Sequence, residues 1–324
     1  MPDPVVGPLV EGLSVPGAER SLANEPHPGG PPHGSPEGGE VQVIASGWKL
    51  AVREFCQNKL GVAGIIIIVF FVLFCFLGPA IHHESTTVNV LNADVAPGHG
   101  HLVGTDDGGL DELNQIMLGG QTALEIGFFS AAIATIIGTL YGAISGLVGG
   151  LLDGLMMRFV DILLSIPFLL VVLILATKYH GTVFKLSVVL GIWTWLVPAR
   201  LVRGEVLTLR VRDFVLAARV MGAGQSRLVL RHLIPNAMSV VIVNITFQVA
   251  DAILALAYLG FLGFGLQPPQ TSWGDMLGNA QNNVSSGYWW LVYPVGACLV
   301  LVVLASNVIG DALRDSLDVR LRRR

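Results

Sequence analysis

The sequence carries little charge and no grouping of cysteines, and each absence excludes a class of protein. Only 13% of the 324 residues are charged and 52% are hydrophobic, with a mean hydropathy of +0.66, whereas a soluble domain carries about 25% charged residues. Most of the chain is therefore suited to a lipid bilayer. The three cysteines, Cys56, Cys75 and Cys298, lie far apart, which argues against a disulfide framework or a cysteine-based metal site.

Motifs for catalysis and nucleotide binding are also missing. The chain contains no GxxxxGK phosphate-binding loop, no GxSxG and no HExxH, the patterns typical of NTPases, α/β-hydrolases and zinc proteases. No predicted span carries paired catalytic carboxylates. We therefore predict that the chain is not an enzyme, and its expected partners include no nucleic acid.

The first 45 residues lack apolar periodicity. Nine of the 17 prolines fall within the first 40 positions, and such a segment buries too little apolar surface to offset its ordering entropy. It also lacks the basic start and apolar core of a signal peptide. We predict a disordered, cytoplasmic tail over residues 1–45.

Six apolar stretches are each long enough to cross a bilayer, which takes about 20 residues. They are residues 62–81, 123–148, 158–177, 186–203, 237–260 and 289–310. Lysine and arginine are absent from 82–121 and 261–288, and 17 of all 19 fall on the other side of the predicted spans. Because basic residues concentrate in cytoplasmic loops, we predict an all-α, six-span membrane domain over 46–324 with both termini in the cytoplasm and an external loop over 82–121.

Small residues recur every fourth position along the second predicted span. They are Ser130, Ala134, Gly138, Gly142 and Gly146. At helical spacing they form one stripe, which allows another backbone to approach closely. We predict a helix-packing face, either within a bundle or in a dimer.

The cytoplasmic loop 204–236 is too polar to span a membrane, and it is too rich in helix-forming residues to be an irregular loop. Asp213 is a good N-cap, and the residues after it predict a short helix with one apolar face. That face comprises Phe214, Ala217, Ala218 and Met221.

Glycine then interrupts the helix. We expect Gly222 and Gly224 to break it, because glycine adopts backbone angles that other residues resist. A second helical piece, from Gln225 to Ile234, should end at Pro235. The result is a helical hairpin, which either anchors the loop to anionic lipid headgroups or forms a docking surface for a partner.

Asp161 and Asp251 lie inside the third and fifth predicted spans. A charge at mid-span costs about 2.5–3.5 kcal/mol on insertion scales, so Asp251 should face a pore or a polar partner such as Asn244 or Gln248. Asp161 lies three residues after Arg158, and a salt bridge between them is expected. We assign a tentative role in translocation to Asp251, Gln248 and Asp161.

The segment LAARVMGAGQSRLVLRHLIPN, residues 216–236, resembles the cytoplasmic EAA loop of ABC importer permeases. Further segments resemble the dipeptide/oligopeptide group of these permeases, in the same order and over about residues 48–324. They are HLVGTD at 101–106, DILLSIP at 161–167, ARLVRG at 199–204, FLGFGLQPPQTSWG at 261–274 and GDALRDSLD at 310–318.

The resemblance implies a permease subunit of a binding-protein-dependent importer in the bacterial plasma membrane, with di- or oligopeptides as the expected substrate. It implies three kinds of partner besides lipid: a second homologous permease, two cytoplasmic ATPase subunits or domains that bind ATP and Mg, and an extracytoplasmic substrate-binding protein. No cofactor or metal is expected on this chain. The residues expected to couple it to the ATPases are Ala217, Ala218, Arg219, Gly222, Arg231, His232 and Pro235.

The sequence departs from this family pattern at several positions. Leu216 replaces the leading Glu of the EAA loop, and Leu256 occupies a Glu position in the fifth span. Three external arginine positions are occupied by Leu110, Gln115 and Gln121. The outer vestibule therefore lacks the positive charges that would attract anionic groups.

Alternative functions remain open at this point. The chain could import nickel or another small solute by the same mechanism, act as a secondary transporter, or serve as a scaffold or receptor. The external histidines, His82, His83, His99 and His101, either bind a metal or are solvated loop residues, and we expect the latter. A secondary transporter would need a coupling-ion site on broken helices, and Asp161 and Asp251 are scattered carboxylates rather than such a site.

Overall fold

The protein is described by a computed structural model, which covers residues 47–82, 88–98, 100–179, 182–281 and 283–322. The predicted tail over 1–45, together with His83 and His99, lies outside the described residues. The described part is almost entirely helical and contains no strand, only an isolated bridge between Thr105 and Asp111. The all-α prediction is confirmed.

Twelve α-helices follow one another along the described part of the chain. They are α1 Gly47–Gln57, α2 Lys59–Ile81, α3 Glu112–Val148, α4 Gly150–Ser165, α5 Phe168–Lys178, α6 Val183–Thr194, α7 Leu196–Leu209, α8 Asp213–Val220, α9 Gln225–Arg227, α10 Ile234–Phe261, α11 Trp273–Ala280 and α12 Tyr293–Arg322. Short 3₁₀ turns occupy Val90–Asn92, Val284–Ser286 and Trp289–Leu291, and a π-helix occupies Leu228–Leu233.

Four straight helical segments are long and apolar enough to cross a membrane: α2, α3, the continuous run Gln225–Phe261, and Trp289–Leu317. Two more candidates are bent pairs. α4 and α5 meet at 81°, and α6 and α7 meet at 44°. When each bent pair is taken as one span the total is six, as the sequence predicts.

Proline accounts for the sharper bend. Pro167 has no N–H to donate to the carbonyl of Leu163, four residues earlier, and its ring would clash there. The helix therefore stops at Ser165, where Ile166 turns to an extended conformation and its N–H bonds the Leu163 carbonyl at 3.3 Å. The chain resumes as α5 in a new direction.

α3 is the central helix of the bundle, packed against α2, α6, α7 and α10. Its stripe of small residues lies against α7 of the same chain from Ala134 to Gly146, while Ser130 lies beside α6. A β-carbon at Gly138 would approach that of Pro198 to 2.6 Å, and one at Gly142 would collide with the Ala199 carbonyl. The two helices are close enough that only glycine fits. The stripe is predicted to pack either within a bundle or in a dimer, and the structure shows that it packs within the bundle.

The N-terminal end of α3 is held by two histidines. Asp111 caps the helix by accepting a hydrogen bond from the Asn114 N–H at 2.9 Å. His101 Nδ1 lies 2.8 Å and His82 Nε2 lies 3.3 Å from the two oxygens of the same buried carboxylate. The expectation of solvated histidines is therefore wrong for His82 and His101, because a buried carboxylate recruits both rings.

Candidate functional site

Both helix breaks open onto one groove. It has a volume of about 490 Å³ and is lined by the α4–α5 break around Ser165 and Pro167, the α6–α7 break around Thr194, and one face of α10 that carries Gln248 and Asp251. Apart from Asp251, the lining residues are uncharged. Irregular backbone at membrane depth is tolerated where it lines a cavity or is buried in protein, which is the setting observed here.

The α6–α7 bend frees a carbonyl, and Gln248 satisfies it. Pro198 lies four residues after Thr194 and has no N–H to give it, so the Thr194 carbonyl loses its helical partner. The Gln248 side chain, only 5% exposed, donates from Nε2 to this oxygen at 2.8 Å. Gln248 lines the groove and also joins α10 to the bend. Of the alternatives for Asp251, a hydrogen bond with Gln248 is not the one formed, because the Gln248 amide donates to the Thr194 carbonyl instead.

Asp251 lies on the open side of the groove. Phe247, Asp251, Leu254 and Tyr258 follow one another along an exposed or half-exposed face of α10, while the opposite face is buried in the bundle. No hydrogen bond or ion pair to the Asp251 carboxylate forms within the described part of the chain. A carboxylate at this depth is costly against lipid, so this face is suited to a hydrated path or to a second protein.

Asp161 lies elsewhere, on α4 and outside the lining of the groove. Its carboxylate pairs with Arg200 of α7, and the predicted pair with Arg158 is wrong. Arg200 reaches Asp161 from the adjacent helix, a contact that spacing along one helix does not reveal. Both side chains are about half exposed, at 48% and 45%, so the pair contributes little to stability.

A second, more buried pair joins α4 to α7. Arg203 makes two parallel hydrogen bonds to Asp153, both of 2.7 Å, and Ser145 of α3 donates to the same carboxylate at 2.5 Å. Arg210 donates to the Gly146 carbonyl at 3.0 Å, near the end of α3. These contacts bind α3, α4 and α7 together. Sequence reasoning missed this cluster, because Asp153 and Arg203 lie fifty residues apart.

α8 is the first arm of the predicted hairpin, and a glycine turn follows it. Gly222 has a left-handed φ of +83°. Its N–H bonds the Arg219 carbonyl, and the Ala223 N–H bonds the Ala218 carbonyl, each at 3.0 Å. This is the Schellman arrangement, in which glycine supplies the left-handed residue after the helix. The predicted break at Gly222 is thus observed, and Gly224 caps the next helix.

The face on which α8 rests differs from the predicted one. Val215 and Ala218 are buried, against Leu228, Val229 and Leu233 beyond the turn. Of the predicted face only Ala218 is buried, while Phe214, Ala217 and Met221 are exposed. The difference arises because the helix is only eight residues long, so nearly every side is apolar and the neighbouring chain decides which side is covered.

An apolar tip is exposed as a result. Val220 is 88% and Met221 81% exposed, and Leu216 is 44% exposed. Ala217 and Arg219 share this outer surface. We call Leu216, Ala217, Val220 and Met221 the apolar tip of the hairpin. Exposed apolar groups next to polar ones are typical of a protein interaction surface.

The second arm does not end at Pro235, and that prediction is wrong. Helical structure is continuous from Gln225 to Phe261, because the wider π-helix Leu228–Leu233 precedes the proline. The Ile234 N–H bonds the Val229 carbonyl, and this wider turn accommodates a ring that a regular α-helix would not. The hairpin is therefore continuous with the helix that lines the groove.

The expected coupling residues divide between two environments. Ala217, Arg219, Gly222, Arg231 and Pro235 are exposed, His232 is half-buried and Ala218 is buried. The Asn236 amide donates to the His232 carbonyl at 2.6 Å. These residues therefore lie on one hairpin. Ala218 packs the first arm against the second, and the exposed residues are available for contact with a partner.

Comparison with known families matches residues 138–323 to the binding-protein-dependent transport system inner membrane component. Residues 46–97 match the N-terminal TM domain of oligopeptide transport permease C.

Individual relatives match over most of the chain. It is 38% identical to the oligopeptide transport system permease protein OppC of Bacillus subtilis over 277 residues, 85% of this chain and 90% of that protein. It is also 38% identical to OppC of Escherichia coli K12 over 85% of this chain and 92% of that protein. The identity to the dipeptide transport system permease protein DppC of Alkalihalophilus pseudofirmus is 35%, over 92% of this chain and 96% of that protein. The chain therefore belongs to the family of binding-protein-dependent transport system inner membrane components, as a permease of the OppC and DppC group.

Proposed function

We propose that the chain forms half of the translocation pore of an ABC importer for di- or oligopeptides. A second homologous permease supplies the other half, two cytoplasmic ATPase subunits or domains bind ATP and Mg, and an extracytoplasmic binding protein delivers the peptide. The chain itself catalyses no reaction. The observation that carries this proposal is the groove. Its open side bears the carboxylate of Asp251, which has no partner among the described residues. A second protein that covers this side would complete the pore.

The hairpin is the proposed contact with an ATPase. Its exposed apolar tip offers a docking surface, and its second arm continues without a break into α10. A force applied at the tip would pass through the Gly222 turn and the packing of α8 on the second arm, and then along the continuous helical run to the wall of the groove. ATPase closure can drive the pore only through contacts that differ between the two states, and this arrangement provides such a contact.

The proposed orientation places the hairpin and both termini in the cytoplasm. The support is the distribution of basic residues, of which 17 of 19 fall on the hairpin side of the predicted spans. The loop 82–121, without lysine or arginine, would then face outward and meet the binding protein. The relatives above are named as peptide permeases, which favours peptide import over the nickel and secondary-transporter alternatives.

The experiment is purification of the chain in mild detergent, identification of co-purifying subunits, and reconstitution of the complex in proteoliposomes. We expect an ATPase and a second permease to co-purify, and uptake of a labelled peptide to require both ATP and the binding protein. Omission of the binding protein is the matched control. Uptake by this chain without any ATPase would overturn the proposal.

A further inference from the structure

The groove contains a single charge. Fourteen residues line it, from α4, α5, α6, α7 and α10, and of these only Asp251 is ionisable at neutral pH. All fourteen lie in the described part of the chain. The remaining walls are apolar or carry neutral groups, such as Ser165 and Thr194. Whatever passes through the groove therefore meets one negative charge and no positive one among these fourteen residues.

The nearest arginines of α7 do not neutralise Asp251. Arg200 is paired with Asp161, and Arg203 makes its two parallel hydrogen bonds to Asp153. Both cations of α7 are thus paired with carboxylates of α4. Arg314 lines a separate cavity between α7, α10 and α12.

Helix dipoles do not supply a counter-charge either. The C-terminal ends of α4 and α6 reach the groove at Ser165 and Thr194, and the N-terminal ends of α5 and α7 reach it at Phe168 and Leu196. Each end is equivalent to about half an elementary charge, negative at the C-terminus and positive at the N-terminus. The two kinds of end offset each other, so the carboxylate sets the sign of the potential.

The other side chains also suit a cation. Phe168, Trp193 and Tyr258 line the same groove, and aromatic ring faces attract ammonium and guanidinium groups. Tyr258 lies two turns after Asp251 on the same face of α10 and is 53% exposed. A carboxylate and accessible aromatic rings together form a surface that recognises positive groups and repels carboxylates.

We propose that Asp251 binds the ammonium and guanidinium groups of passing peptides, so that this permease itself favours basic peptides over acidic ones. The inference rests on the proposed import of peptides. Charge selection would then occur in the pore, independently of the preference of the binding protein. A zwitterionic peptide would pass with its amino group near Asp251 and its carboxylate held away from it.

The test uses the complete reconstituted complex and three peptides of equal length: Ala-Lys-Ala, Ala-Ala-Ala and Ala-Glu-Ala. The affinity of the binding protein for each peptide is measured separately, and uptake is recorded with the binding protein saturated. This removes its own preference from the comparison. The readout is the uptake ratio of the lysine peptide to the glutamate peptide.

Asp251→Asn should lower this ratio about tenfold, the order expected for loss of one partly screened charge pair. Leu254→Lys, which places an ammonium one turn from Asp251 in the same groove, should lower it in the same direction. The matched control is Asp311→Asn, which removes an exposed carboxylate of α12 outside the groove and should leave the ratio unchanged.

An unchanged ratio in Asp251→Asn, with all peptides still imported, would overturn the inference and leave the proposed function intact. If Asp251→Asn fails to assemble, Leu254→Lys decides the question by the same criterion. Absence of uptake of every peptide by the wild-type complex would instead overturn the proposed function.

Discussion

The seam between α3 and α7 and the hairpin that starts with α8 both depend on glycine, but for opposite physical reasons. At Gly138 and Gly142 a side chain would collide with the backbone or side chains of α7. At Gly222 nothing lies within 4 Å of where a β-carbon would be, and the requirement is the φ of +83°. The seam needs glycine for its small size, and the hairpin needs it for its backbone freedom.

The comparison distinguishes the surfaces that the chain closes from those it leaves open. Along the seam, Ala134 and Ala199 are fully buried, and the arginines of α7 pair with carboxylates of α4. On the hairpin, Val220 and Met221 are almost fully exposed. The first region is complete within one chain, and the second is suited to contact with another.

The largest effect should come from filling the seam. Gly142→Leu would drive a side chain into the Ala199 carbonyl, and we expect a loss of about 3 kcal/mol or more in stability, enough to prevent accumulation of folded protein. The measurement is the monodisperse yield and thermal midpoint in detergent. Gly154→Leu is the matched control, since nothing lies within 4 Å of that helical glycine. Equal loss in both variants would contradict the seam.

A smaller effect should follow from cutting the buried ion pair beside the seam. Asp153→Asn removes one of two charge-assisted hydrogen bonds to Arg203 and weakens the other, and we expect a loss of about 2 kcal/mol. Asp161→Asn cuts the half-exposed pair with Arg200 and should cost under about 1 kcal/mol. Thermal midpoints of the two variants, measured side by side, check the order. A greater loss of stability in Asp161→Asn than in Asp153→Asn would show that the Asp161–Arg200 pair, not the Asp153–Arg203 pair, mainly holds α4 to α7.

A local effect on stability, smaller than that of filling the seam, but a large effect on transport should come from the hairpin turn. Gly222→Val places a β-branched residue at a left-handed φ, which costs about 1–2 kcal/mol locally. We expect the bundle to remain folded while ATPase binding and peptide uptake are lost. Gly224→Val is the control, because Gly224 has an extended φ of −67° and ψ of 161° that valine adopts readily. Normal uptake in Gly222→Val would show that the turn is not needed for coupling.

The sequence was informative wherever a local pattern sufficed. Apolar length predicts the spans, four-residue spacing predicts the small stripe of α3, and glycine predicts the turn at Gly222. It failed where the answer depended on chain segments far apart. Asp161 selects Arg200 over the nearer Arg158, and Gln248 bonds a carbonyl freed by Pro198, a contact that requires two helices to be in place.

Hydrophobicity and backbone preference thus determined from the sequence alone that the chain is helical, that most of it is apolar enough for a membrane, and where its turns fall. Only the tertiary structure decided the angle of the two bent spans, the covered face of α8 and the continuity of the hairpin with α10. The bends and the continuity depend on how the helices accommodate Pro167, Pro198 and Pro235, and the covered face of α8 depends on the apolar side chains beyond the turn. Local sequence determines which backbone carbonyl needs a hydrogen-bond donor, and packing across the bundle determines which residue donates.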